Sequence, residues 1–171
     1  MRAVTEGGMR PELDRSLLVD LARPVVARIS PGEDELFPLL TEAYFADPGA
    51  FAEPARRGGP LAFGLPEVLV LLTPVALAAM TEAVRYVVEL AMRKGHRVTS
   101  AALRRAFRAA PPQSVGSASD AQASLELTVQ EWSEVRRIVE QVAVRGGVDP
   151  DQAALIADAV VGQGRLSGEV R

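Results

Sequence analysis

The chain has 171 residues, a net charge of −3, one histidine (His96) and no cysteine. This composition excludes a disulfide framework, a thiolate nucleophile, zinc-finger ligand sets and any mechanism that needs a pair of histidines. Apolar residues make up 48% of the sequence but aromatic residues only 5%, so the core must be built from Ala, Val and Leu, which favours packed helices over a β-sandwich.

The first predicted helix begins at Pro11, after a flexible N-terminus over residues 1–10. Apolar residues recur in it at every fourth position and form one stripe: Leu13, Leu17, Leu21, Val25 and Ile29. Pro24 is expected to kink this helix. A second helix is predicted from Glu33 to about Ala46, because three consecutive acidic residues would then stand at the positive end of its dipole.

The most apolar segment of the chain follows a loop rich in proline and glycine. Between Glu67 and Glu82 lie 14 uncharged residues, and the pattern predicts one apolar helix from Pro66 to Lys94, about 43 Å long, with a bend or break at Pro74. The uncharged run is shorter than the roughly 20 residues that a transmembrane helix needs. It is typical of the central helix of a bundle, or of a helix that lies along a membrane.

A basic stretch follows this apolar helix. Residues 91–119 contain no acidic residue, and a short basic helix is predicted from about Thr99 to Ala110, after a C-cap at Gly95. Such a cluster favours anions, whether on an acidic partner, on lipid headgroups or on nucleic acid. The predicted patch consists of Arg93, Lys94, Arg97, Arg104, Arg105 and Arg108.

The C-terminal part has the clearest local signals for helix ends. Thr128 and Glu131 stand at the N-cap and N3 positions of a capping box, which predicts a helix start. Asp149 and Pro150 predict the start of the next helix, which is expected to stop at Gly162.

Together these elements predict an all-α fold. Four helices in residues 11–110 are expected to form a helical bundle around the long apolar central helix. A flexible linker at 111–126 follows, since this segment is polar and aperiodic. A C-terminal helical hairpin is predicted over 127–164, before a flexible tail at 165–171.

The apolar face of the hairpin is the predicted partner-binding surface. A two-helix unit of this size is too small to be stable alone, so this face must be covered by the bundle, by another chain or by a second copy. The residues assigned to it are Trp132, Val135, Ile138, Val139, Val142 and Ile156.

These features predict a non-enzymatic interaction protein, an adaptor or assembly subunit that acts through helix–helix contacts with a protein partner or with itself. The N-terminus has no apolar core of the signal-peptide kind, which predicts a cytoplasmic location. The use of 18 arginines against one lysine is typical of a GC-rich bacterial genome. No catalytic residue, cofactor, metal site or small-molecule substrate is predicted.

Two alternatives stay open. The first is a membrane-associating or membrane-perturbing protein that uses helix 66–94 and the adjacent basic cluster. The second is a nucleic-acid-binding protein of the helix-turn-helix kind. The acidic charge of the rest of the chain disfavours the second alternative, because it would repel the phosphate backbone.

Overall fold

Every regular element in the described part of the chain is helical. The computed structural model describes residues 14–51, 71–107 and 125–165, and within them no residue lies in a strand. The α-helices are α1 (Arg15–Ile29), α2 (Phe37–Ala46), α3 (Leu72–Arg93), α4 (Ser100–Phe107), α5 (Val129–Arg145) and α6 (Pro150–Arg165), with short 3₁₀ turns at Pro31–Glu33 and Pro48–Phe51. The predicted all-α fold class is confirmed. The N-terminus to residue 13, most of the predicted linker, and residues 166–171 of the predicted tail lie outside the described residues.

Helix α3 is buried along most of its length. Leu77, Ala83, Val84 and Val87 have no exposed surface. The helix contacts α1, α2 and α5, while α6 lies against α5, α1 and α4. Its aliphatic residues therefore meet apolar side chains from both the N-terminal and the C-terminal parts of the chain.

The start of α3 differs from the predicted helix over 66–94. Leu71 has an extended backbone (φ −70°, ψ 121°) and the helix begins at Leu72, so it does not run continuously from Pro66. Pro74 does not break it, because it is the third helical residue, where an amide has no intrahelical acceptor and a proline therefore loses no hydrogen bond. The predicted end is confirmed: Gly95 is left-handed (φ 75°), and the His96 amide donates to the carbonyl of Ala91 (2.9 Å).

Glu33 satisfies the first amides of α3. Its Oε1 accepts a hydrogen bond from the amide of Leu72, and its Oε2 accepts from the amide and the hydroxyl of Thr73, all at 2.8 Å. Ser30 donates to the same carboxylate at 3.1 Å. Leu71, at the N-cap, makes no side-chain capping bond. A residue 39 positions earlier in the chain therefore caps this apolar helix.

The predicted helix from Glu33 to Ala46 is thus wrong in its first turn. A 3₁₀ turn ends at Glu33, and α2 begins only at Phe37, with Pro38 in its first turn. A helix from Glu33 would place Pro38 in its interior, where the ring clashes with the carbonyl of Asp34 and the missing amide breaks the hydrogen-bond ladder.

Both predicted helix starts in the hairpin are confirmed. Thr128 Oγ1 accepts from the Glu131 amide (3.3 Å), and the Thr128 amide donates to Glu131 Oε2 (2.8 Å). Asp149 Oδ1 accepts from the amide of Asp151 (2.9 Å). The predicted stop at Gly162 is wrong, since α6 continues to Arg165. One glycine costs a helix about 1 kcal/mol, which is too little to end a helix whose preceding turn is buried.

Thr41 is the one described residue with a buried side-chain oxygen that lacks a hydrogen-bond partner. Its side chain on α2 is 5% exposed, and Oγ1 has no partner. Thr73 is also buried, but its hydroxyl donates to Glu33. The two threonines therefore provide a matched pair in which only one hydroxyl is satisfied.

We expect Glu33→Ala to lower the free energy of unfolding by about 2–3 kcal/mol, because it leaves buried amides without an acceptor. Urea unfolding followed by circular dichroism measures this change. Glu35→Ala, at an exposed neighbour, is the control and should stay within about 0.5 kcal/mol. Equal effects of the two substitutions would contradict the capping role.

We expect Thr41→Val to raise the free energy of unfolding by about 1 kcal/mol, because it removes a buried hydroxyl that gains no hydrogen bond on folding. Thr73→Val should lower it by a similar amount or more, because it breaks the bond to Glu33. The same unfolding measurement compares the two variants. A loss of stability in Thr41→Val would show that its hydroxyl is satisfied in solution.

Candidate interaction surface

The predicted partner-binding face of the hairpin lies in the interior of the protein. Trp132 is 7% exposed, Val135 and Val139 are fully buried, and Ile156 is 1% exposed. Ile138 and Val142 are partly buried. The structure thus places five of the six residues in or against the chain's own core, and Ile138 is the exception. Its role in partner binding stays a prediction, one that requires the hairpin to separate from the other helices.

Two contacts show that the hairpin packs closely against α3 and α4. The Trp132 ring meets Phe107 of α4 edge-on, with ring centroids 5.6 Å apart. At the end of α5, a β-carbon on Gly146 would lie 2.9 Å from Cγ2 of Val75 on α3. Only a glycine permits this approach without displacement of its neighbour, so the hairpin is packed against α3 and α4 at both ends of α5.

The predicted basic patch is divided between paired and exposed residues. Lys94 forms a salt bridge with Glu131 of α5, and Arg104 donates to Asp20 (3.1 Å) and Ser16 (3.2 Å) of α1. These two cations therefore join helices of the same chain. The remaining described members, Arg93, Arg97 and Arg105, are exposed, and Arg108 lies outside the described residues.

Glu131 is a described carboxylate of this region whose pKa its neighbours lower. The hydrogen bond from Lys94 lowers its pKa below the ordinary value of 4.5, with a further contribution from the amide of Thr128. Glu131 therefore has two functions: it completes the capping box of α5 and it ties α5 to the end of α3.

Helix α2 presents an apolar face to solvent. Leu36, just before the helix, is 48% exposed and Leu39 is 68% exposed, and Ala43 and Ala46 are exposed as well. Their spacing of three, four and three residues is that of the a and d positions of a heptad, which form the seam between two packed helices. We call these four residues the α2 seam.

Two arginines of α1 contact residues at and just before α2 that lie away from the α2 seam. Arg15 forms a salt bridge with Glu42, and its guanidinium lies 4.8 Å from the centroid of the Phe45 ring. Arg23 lies 3.6 Å from Asp34 and stacks on the ring of Phe37 at 5.7 Å. Each arginine thus combines an ion pair with a cation–π contact. The buried face of α2 is held inward and the α2 seam is left in solvent.

Sequence reasoning missed the α2 seam, although the signal was present. Residues 36–46 are apolar at nearly every position, so the 3-4-3 spacing can be read on the outer face as well as on the inner one. The periodicity alone does not distinguish a buried face from an exposed one. Contacts with α1 and α3 determine which face of α2 is buried.

A groove of about 570 Å³ lies between α1, α2, α3 and α5. Aromatic residues Tyr44, Phe45 and Phe51 form part of its wall, and Arg85 and Arg145 stand among its charged residues. Glu82 pairs with Arg85 at 2.9 Å.

We expect Lys94→Met to move the titration midpoint of Glu131 upward, towards 4.5, because it removes the main group that lowers this pKa. A lowered carboxyl pKa stabilises the fold above the pKa of the unfolded chain, and this stability is lost as the pH falls through the folded pKa. The variant should therefore lose less stability between about pH 7 and about pH 3 than the parent. Its loss at about pH 7 should be below about 1 kcal/mol, as for other solvent-accessible pairs.

Carboxyl NMR titration measures the midpoint. Glu134 is the internal control, because its lowered pKa comes from Arg137 and should not respond to Lys94→Met. An unchanged midpoint for Glu131 would show that the pair does not form in solution.

Comparisons with known proteins identify no relative: no protein-family model matches the chain, and no curated protein or solved structure shows significant similarity to it. Among the described residues, none of the helices is both long and apolar enough to cross a membrane. Within the same residues, no group of three or more His, Asp or Glu side chains is placed to hold a metal ion.

Proposed function

We propose that this chain is a non-enzymatic interaction protein, an adaptor or assembly subunit of the bacterial cytoplasm, which binds another protein through helix–helix contacts at the α2 seam. The observation that carries the proposal is the exposure of all four seam residues at heptad spacing, three on α2 and Leu36 just before it, while the opposite face of α2 is buried. An exposed apolar stripe with this spacing is the usual form of a surface that receives a second helix.

The scaffold that we propose for this surface is a bundle around α3. Its support is the burial of α3 and its contacts with α1, α2 and α5. Helix α2 is attached to this scaffold by Phe37, Thr41 and Tyr44, which face inward and are buried. A seam on a helix that is held in this way has little conformational freedom to lose when a partner binds, which favours association.

The seam is small, and this limits the affinity that it can provide. Full burial of a leucine contributes about 1.5–3 kcal/mol, and Leu36 and Leu39 are already partly covered. A micromolar complex requires about 8 kcal/mol. The partner must therefore also bury surface beside the seam, of which Leu40, half-buried on the same helix, is the nearest apolar part.

The two alternatives are less well supported. A membrane-associating role through the apolar helix would require side chains of α3 to leave their present contacts. A nucleic-acid role would rest on Arg93, Arg97 and Arg105, since Lys94 and Arg104 are engaged in salt bridges within the chain. Both alternatives remain predictions from the sequence.

We expect Leu39→Glu to abolish copurification of the partner from a lysate of the source organism, because a carboxylate at the centre of the seam cannot be buried against an apolar helix. Quantitative mass spectrometry of proteins retained by the tagged chain measures the loss. Val129→Glu is the matched control: Val129 is 70% exposed but lies on α5, outside the seam. Both variants should keep the stability of the parent within about 0.5 kcal/mol. Retention of the same proteins by Leu39→Glu would contradict the proposal.

A further inference from the structure

The flanks of the α2 seam are acidic. Continuing the heptad of α2 into the residues at its two ends puts Leu36 and Ala43 at a positions and Leu39 and Ala46 at d positions. Glu42 and Leu40, on the helix, then take a g and an e position, while Glu35 precedes the helix at the other g position and Asp47, the C-cap, takes the other e position. In paired helices the residues at e and g lie beside the seam, and their charges determine which helices pair. Three of these four flanking positions, one on α2 and one beyond each end of it, therefore carry a carboxylate.

We propose that the occupant of the α2 seam is an amphipathic helix of another protein that carries Lys or Arg beside its own apolar seam. This inference rests on the proposed function and adds the chemistry of the partner. Basic residues at the flanks of the partner would face Glu35, Glu42 and Asp47, and opposite charges at these positions favour the pairing.

A second copy of the chain does not fit this surface. In an antiparallel pair of α2 helices the g positions face each other, which places Glu35 of one copy beside Glu42 of the other. In a parallel pair the g and e positions face each other, which places Glu42 beside Asp47. Both orientations bring like charges together, and this repulsion selects against self-pairing.

Two ion pairs join this acidic region to α1. Arg15 reaches Glu42 from the side of Phe45, and Phe45 lies farther round the helix from the seam than Glu42 does. The carboxylate of Glu42 therefore stands between the guanidinium and the seam. Asp34, which Arg23 approaches, is not at a flanking position.

The size of the seam residues adds a steric feature. The two leucines lie at the N-terminal end of the seam and the two alanines at its C-terminal end. Small residues allow a closer approach, so the partner helix has room for larger apolar side chains opposite Ala43 and Ala46 than opposite the leucines. Complementary large and small residues of this kind fill the space between packed helices.

Two synthetic peptides of about three heptads test the inference. Both have Leu at a and d; one has Lys at e and g, and the other has Glu. Each repels its own copies, so both stay monomeric at low concentration. Fluorescence anisotropy with the full chain should show at least about tenfold tighter binding of the Lys peptide at low salt, and the difference should shrink at high salt because exposed charges are screened.

Two variants of the chain separate specific binding from general attraction to an acidic protein. Leu39→Glu adds negative charge but breaks the seam, so it should weaken binding of the Lys peptide, whereas nonspecific attraction would become stronger. Glu35→Lys keeps the seam and should reduce the preference for the Lys peptide at least several-fold.

Each contrary outcome identifies a different error. Equal binding of both peptides would overturn the charge selection and leave the proposed function intact. Binding of neither peptide would overturn the inference together with the α2 seam. In that case a loss of more than about 1 kcal/mol in the stability of Leu39→Glu would indicate that the chain's own residues cover the face. Self-association of the chain that Leu39→Glu abolishes, measured by sedimentation equilibrium, would identify a second copy as the occupant and overturn the proposal.

Discussion

The first turn of α3 enters the interior of the protein with amides that a helix cannot satisfy from within. Leu72 and Thr73 are both buried, and water does not reach them as it reaches an exposed helix end. Glu33 supplies the missing acceptors from the end of a 3₁₀ turn. Because these hydrogen bonds join the segment between α1 and α2 to the start of α3, they help to determine where this buried helix lies relative to α1 and α2.

The packing that follows leaves only some apolar surface for a partner. The hairpin formed by α5 and α6 packs its apolar face against α3, α1 and α4. Gly146 approaches Val75 so closely that no side chain fits between these two residues. Helix α2 differs because it is apolar on two faces and has only one of them covered. The exposed face of α2 arises because this short helix has more apolar residues than its one covered face can bury. An exposed apolar patch on a folded protein is a common feature of an interaction site.

Electrostatic contacts in this protein mainly decide orientation. Salt bridges such as Lys94–Glu131 and Arg104–Asp20 join separate helices at partly exposed positions, where each contributes little to stability. Each of them joins one helix to another through one defined pair of side chains. The arginines of α1 form ion pairs of the same kind at and near α2. In our proposal, the carboxylates beside the α2 seam select a partner helix that carries basic residues.

The sequence by itself determined the features that depend on neighbouring residues. The all-α class follows from its composition and periodicity, and the helix ends at Thr128, Asp149 and Gly95 follow from capping chemistry within a few positions. The tertiary structure decided which faces are buried and what Glu33 does, because both depend on contacts between residues far apart in the chain. Glu33 lies in an acidic run that locally indicates a helix start. Its carboxylate oxygens nevertheless accept hydrogen bonds from the amides of Leu72 and Thr73, 39 and 40 residues later in the chain. In the same way, the two apolar faces of α2 are equivalent in sequence until α1 and α3 cover one of them.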